Sequence, residues 1–371
     1  MSTADYPHLF AAGQIGVVSV AHRAVTAPMT RVSADAGGLA NDLMRDHYRA
    51  FAEGGFGLIV SEGTYIDLQH SQGYKDQPGI ATDAQAEAWS KITEAVHGAG
   101  AKMFLQLLHA GALTQANDYV DGTIGPSAVR PPGEQAPNYY GTGPYPIPHA
   151  LELDEIEEIQ AAFRNAARRA VAAGFDGIEI HGANGYLLHQ FFSDTQNQRD
   201  DAYGGPAENR VRMHAQVLAA VKQGAGPDRP VGMRISQVAV NDFTKVWPDG
   251  VDDAKVIFGA MKEGGADYVH ANAPPAPVAV FDSGRTLAGL ARDFFGGTVV
   301  ACGGLNDPAV AEALIASGDA DFAAMAKGAL ADPAWPQKIG SGATPVPFDP
   351  GMTQPLATLQ NTIDWRAANP G

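Results

Sequence analysis

The chain alternates short apolar stretches with longer stretches in which apolar residues recur every three to four positions. Short apolar runs are typical of buried strands, and the longer period is typical of amphipathic helices. From residue 24 onward the pattern predicts strands at 24–28, 58–61, 102–107, 177–180, 231–235, 268–271, 298–302 and 321–325. It predicts helices at 41–53, 84–97, 154–173, 207–222, 252–263, 287–295, 308–316 and 333–339, and the last of these closes the regular structure.

Eight strand–helix pairs in this order predict an α/β fold. Strands that are apolar throughout and joined by helices indicate a parallel sheet covered by helices. Eight such units indicate a (β/α)8 TIM barrel, with residues 1–371 as a single domain. An open, doubly wound sheet is the alternative. Residues 8–22 alternate weakly around Gly13 and Gly16, which predicts a small N-terminal hairpin that plugs the amino end of the barrel.

A long excursion at 111–149, rich in proline, glycine and tyrosine, follows the third predicted strand. Loops of this length in compact domains are usually lids or binding loops. A disordered insertion is the alternative, but disordered segments are poor in aromatic residues. The excursion contains Tyr119, Tyr139, Tyr140 and Tyr145. We therefore predict a lid over the barrel mouth, where the active sites of such barrels lie.

Composition excludes several classes of function. The formal net charge of −16 argues against nucleic-acid and anionic-membrane partners. Cys302 is the single cysteine, which rules out internal disulfides and an iron–sulfur cluster held by four cysteines of this chain. The first residues show no signal pattern, and no apolar run is long enough to span a bilayer. We expect a cytoplasmic monomer or homodimer that acts on a small molecule.

Polar side chains cluster where predicted strands end, which is the catalytic face of a barrel. The first strand ends at Pro28, Met29 and Thr30, and the third carries Gln106. The fourth strand is followed by His181, Asn184 and Tyr186 among glycines. Residues three apart in a strand point to opposite faces, so His181 and Asn184 can converge only if the strand ends between them.

Two further features indicate a phosphorylated ligand. Arg234 lies within an apolar strand, so it needs an acidic partner or an electron-rich ligand, and a salt bridge to a core carboxylate is the structural alternative. Strands seven and eight are followed by glycine amides and one cation, the usual phosphate position in these barrels. The two stretches are Gly303-Gly304 and Ala326-Lys327-Gly328. Since no Rossmann or Walker glycine pattern is present, the phosphate belongs to a ligand held by the barrel.

A long motif runs from His181 through Gly182, Ala183, Asn184, Gly185, Tyr186, Leu187 and Leu188, and continues with Gln190, Phe191, Asn197, Arg199, Asp201, Tyr203, Gly204 and Gly205. Together with the Pro28-Met29-Thr30-Arg31 segment, the Gln106 and Arg234 strands, Gly303-Gly304 and Ala331-Asp332-Pro333, it resembles the signature of the Old Yellow Enzyme family of flavin-dependent ene-reductases. The resemblance extends to about Lys338.

The resemblance implies one FMN across the barrel mouth, with NADPH or NADH as a transient co-substrate and no metal. Thr30 would contact the flavin C4 carbonyl side, Gln106 the pyrimidine edge, and Arg234 the N1 and C2 carbonyl region. Gly304 and Lys327 would hold the phosphate. The full implied set of FMN contacts is Pro28, Met29, Thr30, Gly63, Gln106, Arg234, Gly303, Gly304, Ala326 and Lys327.

The resemblance also implies the reaction. His181 and Asn184 would bind the oxygen of an activated alkene, either an α,β-unsaturated carbonyl compound or a nitroalkene. Hydride would reach the β-carbon from the reduced flavin, and Tyr186 would protonate the α-carbon as general acid.

The sequence also departs from the family pattern. Lys327 stands where many relatives have arginine, and it lacks the bidentate fork of arginine, so we expect a weaker phosphate grip. Leu108 and Ala112 stand where many relatives have tryptophan and arginine, which predicts open space near the lid.

Three alternatives stay open. A larger iron–sulfur relative is opposed by the single cysteine. A phosphate-binding aldolase or isomerase would want a Schiff-base lysine or a metal cluster, yet Lys102 begins a strand. The third is a flavin-binding protein of low turnover.

Overall fold

The computed structural model describes residues 3–369 and contains a closed parallel barrel. Each barrel strand pairs with the next one along the chain, and Ala323 of the last strand pairs with Ala24 of the first, which closes the ring. The prediction of a (β/α)8 barrel is therefore confirmed. The eight strands, which we number in chain order as barrel strands 1 to 8, are Ala24–Thr26, Leu58–Val60, Lys102–Leu108, Gly177–Asn184, Val231–Ala239, Tyr268–Asn272, Thr298–Cys302 and Phe322–Met325.

Helices surround the barrel, and several of them begin at side-chain caps. Asn41 accepts a hydrogen bond from the Met44 amide, and Thr82 and Gln85 form a reciprocal capping box. The longer helices are Asp42–Glu53, Asp83–Gly98, Leu153–Ala172, Arg212–Ala225, Val251–Glu263, Leu287–Phe294, Pro308–Ala316 and Trp335–Ser341. Between residues 3 and 369, no helix combines the length and the apolar content needed to cross a bilayer.

The N-terminal strands Gly13–Ile15 and Val18–Val20 pair as an antiparallel hairpin. Ile15 is fully buried, and it shares one apolar cluster with Phe104 and Tyr268 of the barrel strands. The hairpin turn approaches Pro230, which directly precedes barrel strand 5. The hairpin thus lies across the amino end, and the carboxyl end of the barrel remains available for ligands.

Barrel strand 4 corrects one prediction. It does not end between His181 and Asn184 but continues to Asn184. The two side chains reach the same cavity because the ladder is irregular there: Gly182 pairs with Ile235, and Asn184 pairs next with Ala239. Asn184 also takes a left-handed φ of 62°, a conformation that asparagine tolerates better than most residues. A bulge, and not a strand end, therefore turns the side chains.

Several other boundaries were predicted incorrectly. The helix predicted at 207–222 is interrupted at Val211 into Ala207–Arg210 and Arg212–Ala225. The helix near 333–339 is not the last, because Leu359–Ala368 follows it. Short helices that the periodicity did not show are Leu187–Phe192 and Lys327–Ala331. Apolar periodicity is a weak indicator for elements of one or two turns, which explains these misses.

The excursion at 111–149 is built from short elements. It contains the 3-10 turns Gly111–Leu113 and Pro137–Tyr139, and its strand Ile124–Gly125 pairs in parallel with His149–Ala150. The paired strands tie the two ends of the excursion together at its base. Tyr139 and Tyr145 line a cavity at the carboxyl end of the barrel.

His214 supports a prediction about acid stability. It is 0% exposed, its ring centroid lies 6.0 Å from that of Phe192, and burial lowers its pKa to about 3. The stability that the neutral ring contributes is complete above the unfolded pKa of roughly 6.5 and is lost as the pH falls. Between about pH 6 and pH 4, His214→Leu should reduce the pH dependence of the unfolding free energy by about 1.4 kcal/mol per pH unit. Urea unfolding across this range measures the difference, and equal slopes in both proteins would contradict the assignment.

Candidate active site

A cavity of about 530 Å³ opens at the carboxyl ends of the barrel strands, within the size range of small-molecule sites. Its walls come from the loops after several strands, from the 111–149 excursion and from the C-terminal segment. Most of the predicted site residues line it, namely Pro28, Met29, Thr30, Gln106, His181, Asn184, Tyr186, Arg234, Ala326 and Lys327.

The predicted glycines lie outside the set of residues that line this cavity. Gly63 lies beside Gln106, and its carbonyl accepts a hydrogen bond from Gln77 Nε2 at 2.7 Å. Gly303 has a φ of 137°, and a Cβ there would lie 2.0 Å from the Ala273 carbonyl oxygen, so only glycine fits. At Gly304 a Cβ would meet no atom within 4 Å, which leaves open space beside the backbone.

Leu108 and Ala112 do not open the cavity as expected. Both are 1% exposed, and neither lines the cavity. Leu108 packs in a cluster with Tyr74 and Tyr186, and the Ala112 amide donates to Gln190 Oε1 at 3.1 Å. Both side chains are therefore enclosed by protein and do not border the cavity.

A buried polar network lies behind the floor of the cavity. Gln106 Nε2 donates to Glu179 Oε1 at 2.8 Å, and His270 Nδ1 lies 2.8 Å from Glu179 Oε2. Burial alone would raise the pKa of Glu179, but His270 and Arg234 hold it below its ordinary value. Burial would likewise lower the pKa of His270, but Glu179 raises it. Each partner therefore favours the ionised form of the other, and the Arg234 charge acts on Glu179 without a direct ion pair.

Among residues 3–369 no carboxylate forms an ion pair with Arg234, so the salt-bridge alternative is wrong. Its Nη2 donates to Asn272 Oδ1 at 3.0 Å and contacts Cys302 Sγ at 3.7 Å. The side chain is 6% exposed, and Nε has no hydrogen-bond partner. A buried cation with an unused donor on a cavity wall is costly unless a ligand satisfies it.

His181 is a neutral hydrogen-bond donor. Burial, Arg234 and His270 lower its pKa well below the ordinary value, so the ring is uncharged at pH 7. Its Nδ1 accepts from the Ala183 amide at 3.3 Å, which places the ring proton on Nε2. The ring can therefore donate to an oxygen in the cavity.

Asn184 is oriented by its neighbours. Its backbone amide donates to Ser236 Oγ at 2.8 Å, and its side-chain Oδ1 accepts from Asn272 Nδ2 at 2.9 Å. The side-chain NH2 group stays available as a donor. Asn272 Oδ1 also accepts a hydrogen bond from Arg234 Nη2. The Asn272 side chain therefore links the Arg234 cation to the Asn184 side chain.

Tyr186 lies beside His181, with the two ring centroids 4.8 Å apart, and is 6% exposed. Burial raises the pKa of its hydroxyl, and the nearby rings of Tyr139 and Tyr145 add to the rise. The hydroxyl therefore keeps its proton at neutral pH. His181, Asn184 and Tyr186 together offer two donors for an oxygen atom and one proton beside them.

The C-terminal segment completes the cavity, which the sequence did not indicate. Phe348 lines it, and its ring centroid lies 5.4 Å from Lys327 Nζ. Arg31, 1% exposed, donates through Nη2 to the Thr358 carbonyl at 2.7 Å and to Thr362 Oγ1 at 2.5 Å. Arg31 belongs to the Pro28-Met29-Thr30-Arg31 segment of the family signature, but nothing in that segment indicates a partner 327 residues away.

These residues fit an FMN. The unused donor of Arg234 and the amide of Gln106 suit the carbonyl-rich edge of a flavin, where charge collects on reduction. The open backbone at Gly304, with Lys327 on the cavity wall, suits a phosphate.

Comparisons with known proteins agree with this geometry. Residues 8–344 match the model of the NADH:flavin oxidoreductase / NADH oxidase family. The chain is 33% identical over 351 residues to NADH oxidase of Thermoanaerobacter brockii, covering 91% of this chain but about half (51%) of that longer protein. It is 37% identical over 335 residues to 12-oxophytodienoate reductase 1 of Oryza sativa subsp. japonica, covering 88% of this chain and 84% of the relative.

The fold comparison leads to the same family. The structure of the old yellow enzyme homologue from Zymomonas mobilis superposes with a TM-score of 0.84 and 31% identity, over 96% of this chain and 99% of that one. The chain therefore belongs to the NADH:flavin oxidoreductase / NADH oxidase family, the Old Yellow Enzyme family of FMN-dependent NAD(P)H oxidoreductases.

Proposed function

We propose that the protein is an ene-reductase that uses FMN and NAD(P)H to reduce activated alkenes, either α,β-unsaturated carbonyl compounds or nitroalkenes. The observation that carries the proposal is that His181, Asn184 and Tyr186 line the same cavity as Gln106 and Arg234. Donors for an oxygen and a protonated phenol thus share one space with the residues that suit a flavin.

FMN supplies the hydride chemistry when bound, taking hydride from NAD(P)H and passing it to the β-carbon of the alkene. Thr30, Gln106 and Arg234 would hold and polarise the ring system, and Gly304 and Lys327 would hold the phosphate. Pro28, Met29, Gly63, Gly303 and Ala326 would complete the set of residues around the cofactor.

His181 and Asn184 bind the oxygen of the substrate. Both donors are neutral, and both are held by neighbours before the substrate arrives. They withdraw electron density from the double bond without the desolvation cost of a second buried charge. Tyr186 then donates its proton to the α-carbon, as a general acid whose raised pKa keeps it protonated.

We propose that the 111–149 segment acts as the lid of this site within one barrel domain. Tyr139 and Tyr145 of the segment line the cavity, and Tyr145 OH donates to Gln115 Oε1 at 3.3 Å inside the segment. These contacts support a wall that excludes water from the reacting atoms.

An aldolase or isomerase is less well supported. Lys102 pairs with Asp176 at 3.1 Å near the amino end of barrel strand 3, and among residues 3–369 the cavity is lined by one lysine, Lys327. Within the same range no group of three His, Cys, Asp or Glu side chains could hold a metal ion.

Reconstitution with FMN tests the proposal. The purified protein should bind FMN, bleach at its visible absorption band under anaerobic NADH or NADPH, and recover colour when an enone or nitroalkene is added. Gas chromatography should find the saturated product. Protein that takes up no FMN would refute the flavin assignment. Protein that binds FMN and bleaches but reduces no alkene on the panel would support a flavoprotein of low turnover instead.

A further inference from the structure

Tyr74 is a residue of the cavity that the sequence motifs did not single out. It lies in the loop between Thr64–Tyr65 and the helix Asp83–Gly98, and it lines the same cavity as Tyr186. The two hydroxyl oxygens lie 2.6 Å apart, although the residues are 112 positions apart in sequence. Both side chains are buried, with 5% and 6% exposure. A hydroxyl–hydroxyl distance at the short end of the usual range marks a strong contact.

The loop holds Tyr74 rigidly. Its backbone amide donates to Gln77 Oε1 at 3.3 Å, and Gln77 Nε2 donates in turn to the Gly63 carbonyl at 2.7 Å. The Tyr139 ring lies 5.0 Å from the Tyr74 ring, centroid to centroid. Both the backbone and the ring of Tyr74 are therefore placed before any substrate binds.

The number of hydroxyl protons decides which tyrosine must donate in the Tyr74–Tyr186 hydrogen bond if Tyr186 is to protonate a substrate. Each phenol has one O–H to donate. If Tyr186 donated to Tyr74, it would have no proton directed at a substrate. If Tyr74 donates, the Tyr186 proton is free for the cavity. Within residues 3–369 the Tyr74 hydroxyl has Tyr186 as its one hydrogen-bond partner, so no other acceptor competes for its proton.

We propose that Tyr74 is a positioning residue that donates its O–H to Tyr186, aims the Tyr186 proton at the substrate and stabilises the phenolate left after proton transfer. This inference rests on the proposed function. Its ligand is the one already assigned to the cavity, an alkene activated by a carbonyl or nitro oxygen.

The proton and the electrons balance in this step. Hydride derived from NAD(P)H forms the new bond at the β-carbon, and the π electron pair moves toward the α-carbon and the oxygen held by His181 and Asn184. The α-carbon takes the proton of Tyr186, whose O–H bond breaks and leaves its electron pair on the phenolate. Tyr74 keeps its proton and hydrogen-bonds to that phenolate. Water returns a proton to Tyr186 before the next turnover.

Other groups around Tyr186 do not replace Tyr74. The His181 ring packs edge-on at 4.8 Å, and it is neutral. Arg234, Tyr139 and Tyr145 act on Tyr186 only through their charge or ionisation. Burial raises the pKa of Tyr186, and the hydrogen bond from Tyr74 opposes part of that rise. Tyr74 therefore opposes the rise through a direct hydrogen bond, and the more distant Arg234 charge adds to its effect.

Tyr74→Phe tests the inference, because phenylalanine keeps the ring packing against Tyr139. In stopped-flow experiments on the FMN-loaded protein, alkene reduction should slow about five- to tenfold, the effect of one hydrogen bond on the transition state. Reduction by NAD(P)H should change less than twofold, and the solvent deuterium isotope effect on alkene reduction should increase. A purely structural role would not separate the two half-reactions in this way.

Tyr65→Phe is the matched control. Tyr65 lies outside the 111–149 segment and forms a second tyrosine pair with Tyr119 at the same oxygen distance of 2.6 Å, and Tyr65 does not line the cavity. This variant should reduce alkenes at the wild-type rate. In proton NMR of the protein without FMN, a slowly exchanging hydroxyl resonance should be absent in both Tyr74→Phe and Tyr186→Phe and present in Tyr65→Phe.

The outcomes separate the two proposals. If the wild-type protein reduces alkenes and Tyr74→Phe reduces them at the same rate, the role of Tyr74 is overturned and the proposed function stands. Equal slowing of both half-reactions in Tyr74→Phe has the same consequence. A hydroxyl resonance that survives Tyr74→Phe also overturns it. Wild-type protein that binds FMN and reduces no alkene overturns the proposed function, and the role of Tyr74 falls with it.

Discussion

Tyr186→Phe should slow alkene reduction by about a hundredfold or more while NAD(P)H still reduces the bound flavin at close to the wild-type rate. General acids contribute roughly 10²–10⁴-fold, and the protonated phenol of Tyr186 lies beside His181, with the two ring centroids 4.8 Å apart. Phenylalanine preserves the ring contact and removes the single proton, so the change is confined to the step that consumes it. Anaerobic stopped-flow of the two half-reactions measures the separation.

The reductive half-reaction serves as the internal control for this variant. Hydride transfer from NAD(P)H needs no proton from the protein, so a folded Tyr186→Phe protein should bleach normally. If both half-reactions slowed equally, Tyr186 would be acting through the shape of the cavity. If neither slowed, the proton would come from another group, and the assignment of Tyr186 would be wrong.

Arg234→Met should weaken FMN binding by about a hundredfold and should not destabilise the protein without FMN. Hydrogen bonds to charged groups contribute about 1.5–3 kcal/mol, and each 1.4 kcal/mol is tenfold in affinity. In the part of the chain that the structure describes, Arg234 is a buried cation whose Nε has no hydrogen-bond partner and which forms no ion pair with a carboxylate. Its replacement by an apolar side chain of similar length removes a desolvation cost and loses one hydrogen bond to Asn272. Fluorescence titration of FMN and thermal unfolding of the apoprotein measure the two effects.

Arg210→Met is the matched control because Arg210 is a buried arginine with its partners in place. It donates to the Phe192 and Gly205 carbonyls at 2.8 and 2.7 Å, and it pairs with the buried Asp253 at 3.3 Å. Its loss leaves Asp253 unpaired, which typically costs about 3–5 kcal/mol of stability. FMN affinity of the folded fraction should not change. If Arg234→Met behaved like Arg210→Met, with lost stability and unchanged FMN affinity, Arg234 would be a structural residue.

The barrel was predictable from sequence because each of its strands is specified by a short, local stretch of apolar residues. Barrel strands 1, 2, 3, 6, 7 and 8 are short, mainly apolar stretches, and their predicted positions were correct to within two residues. The residues that line the cavity were largely predictable too, because the carboxyl ends of parallel strands meet at one face. To predict that His181 and Gln106 line the cavity, the number and order of the strands were sufficient.

Contacts between distant segments were not predictable. Three contacts join loops or strands that no local sequence pattern relates. They are the hydrogen bond between Tyr74 and Tyr186, the hydrogen bond from Arg31 to Thr362, and the Glu179–His270 pair. The bulge that turns Asn184 into the cavity depends on extra residues in the neighbouring strand, not on its own sequence. Periodicity reports which face of an element is buried, whereas a hydrogen bond depends on the final distance between two side chains. Only the closed barrel, by bringing its loops to one rim, sets those distances.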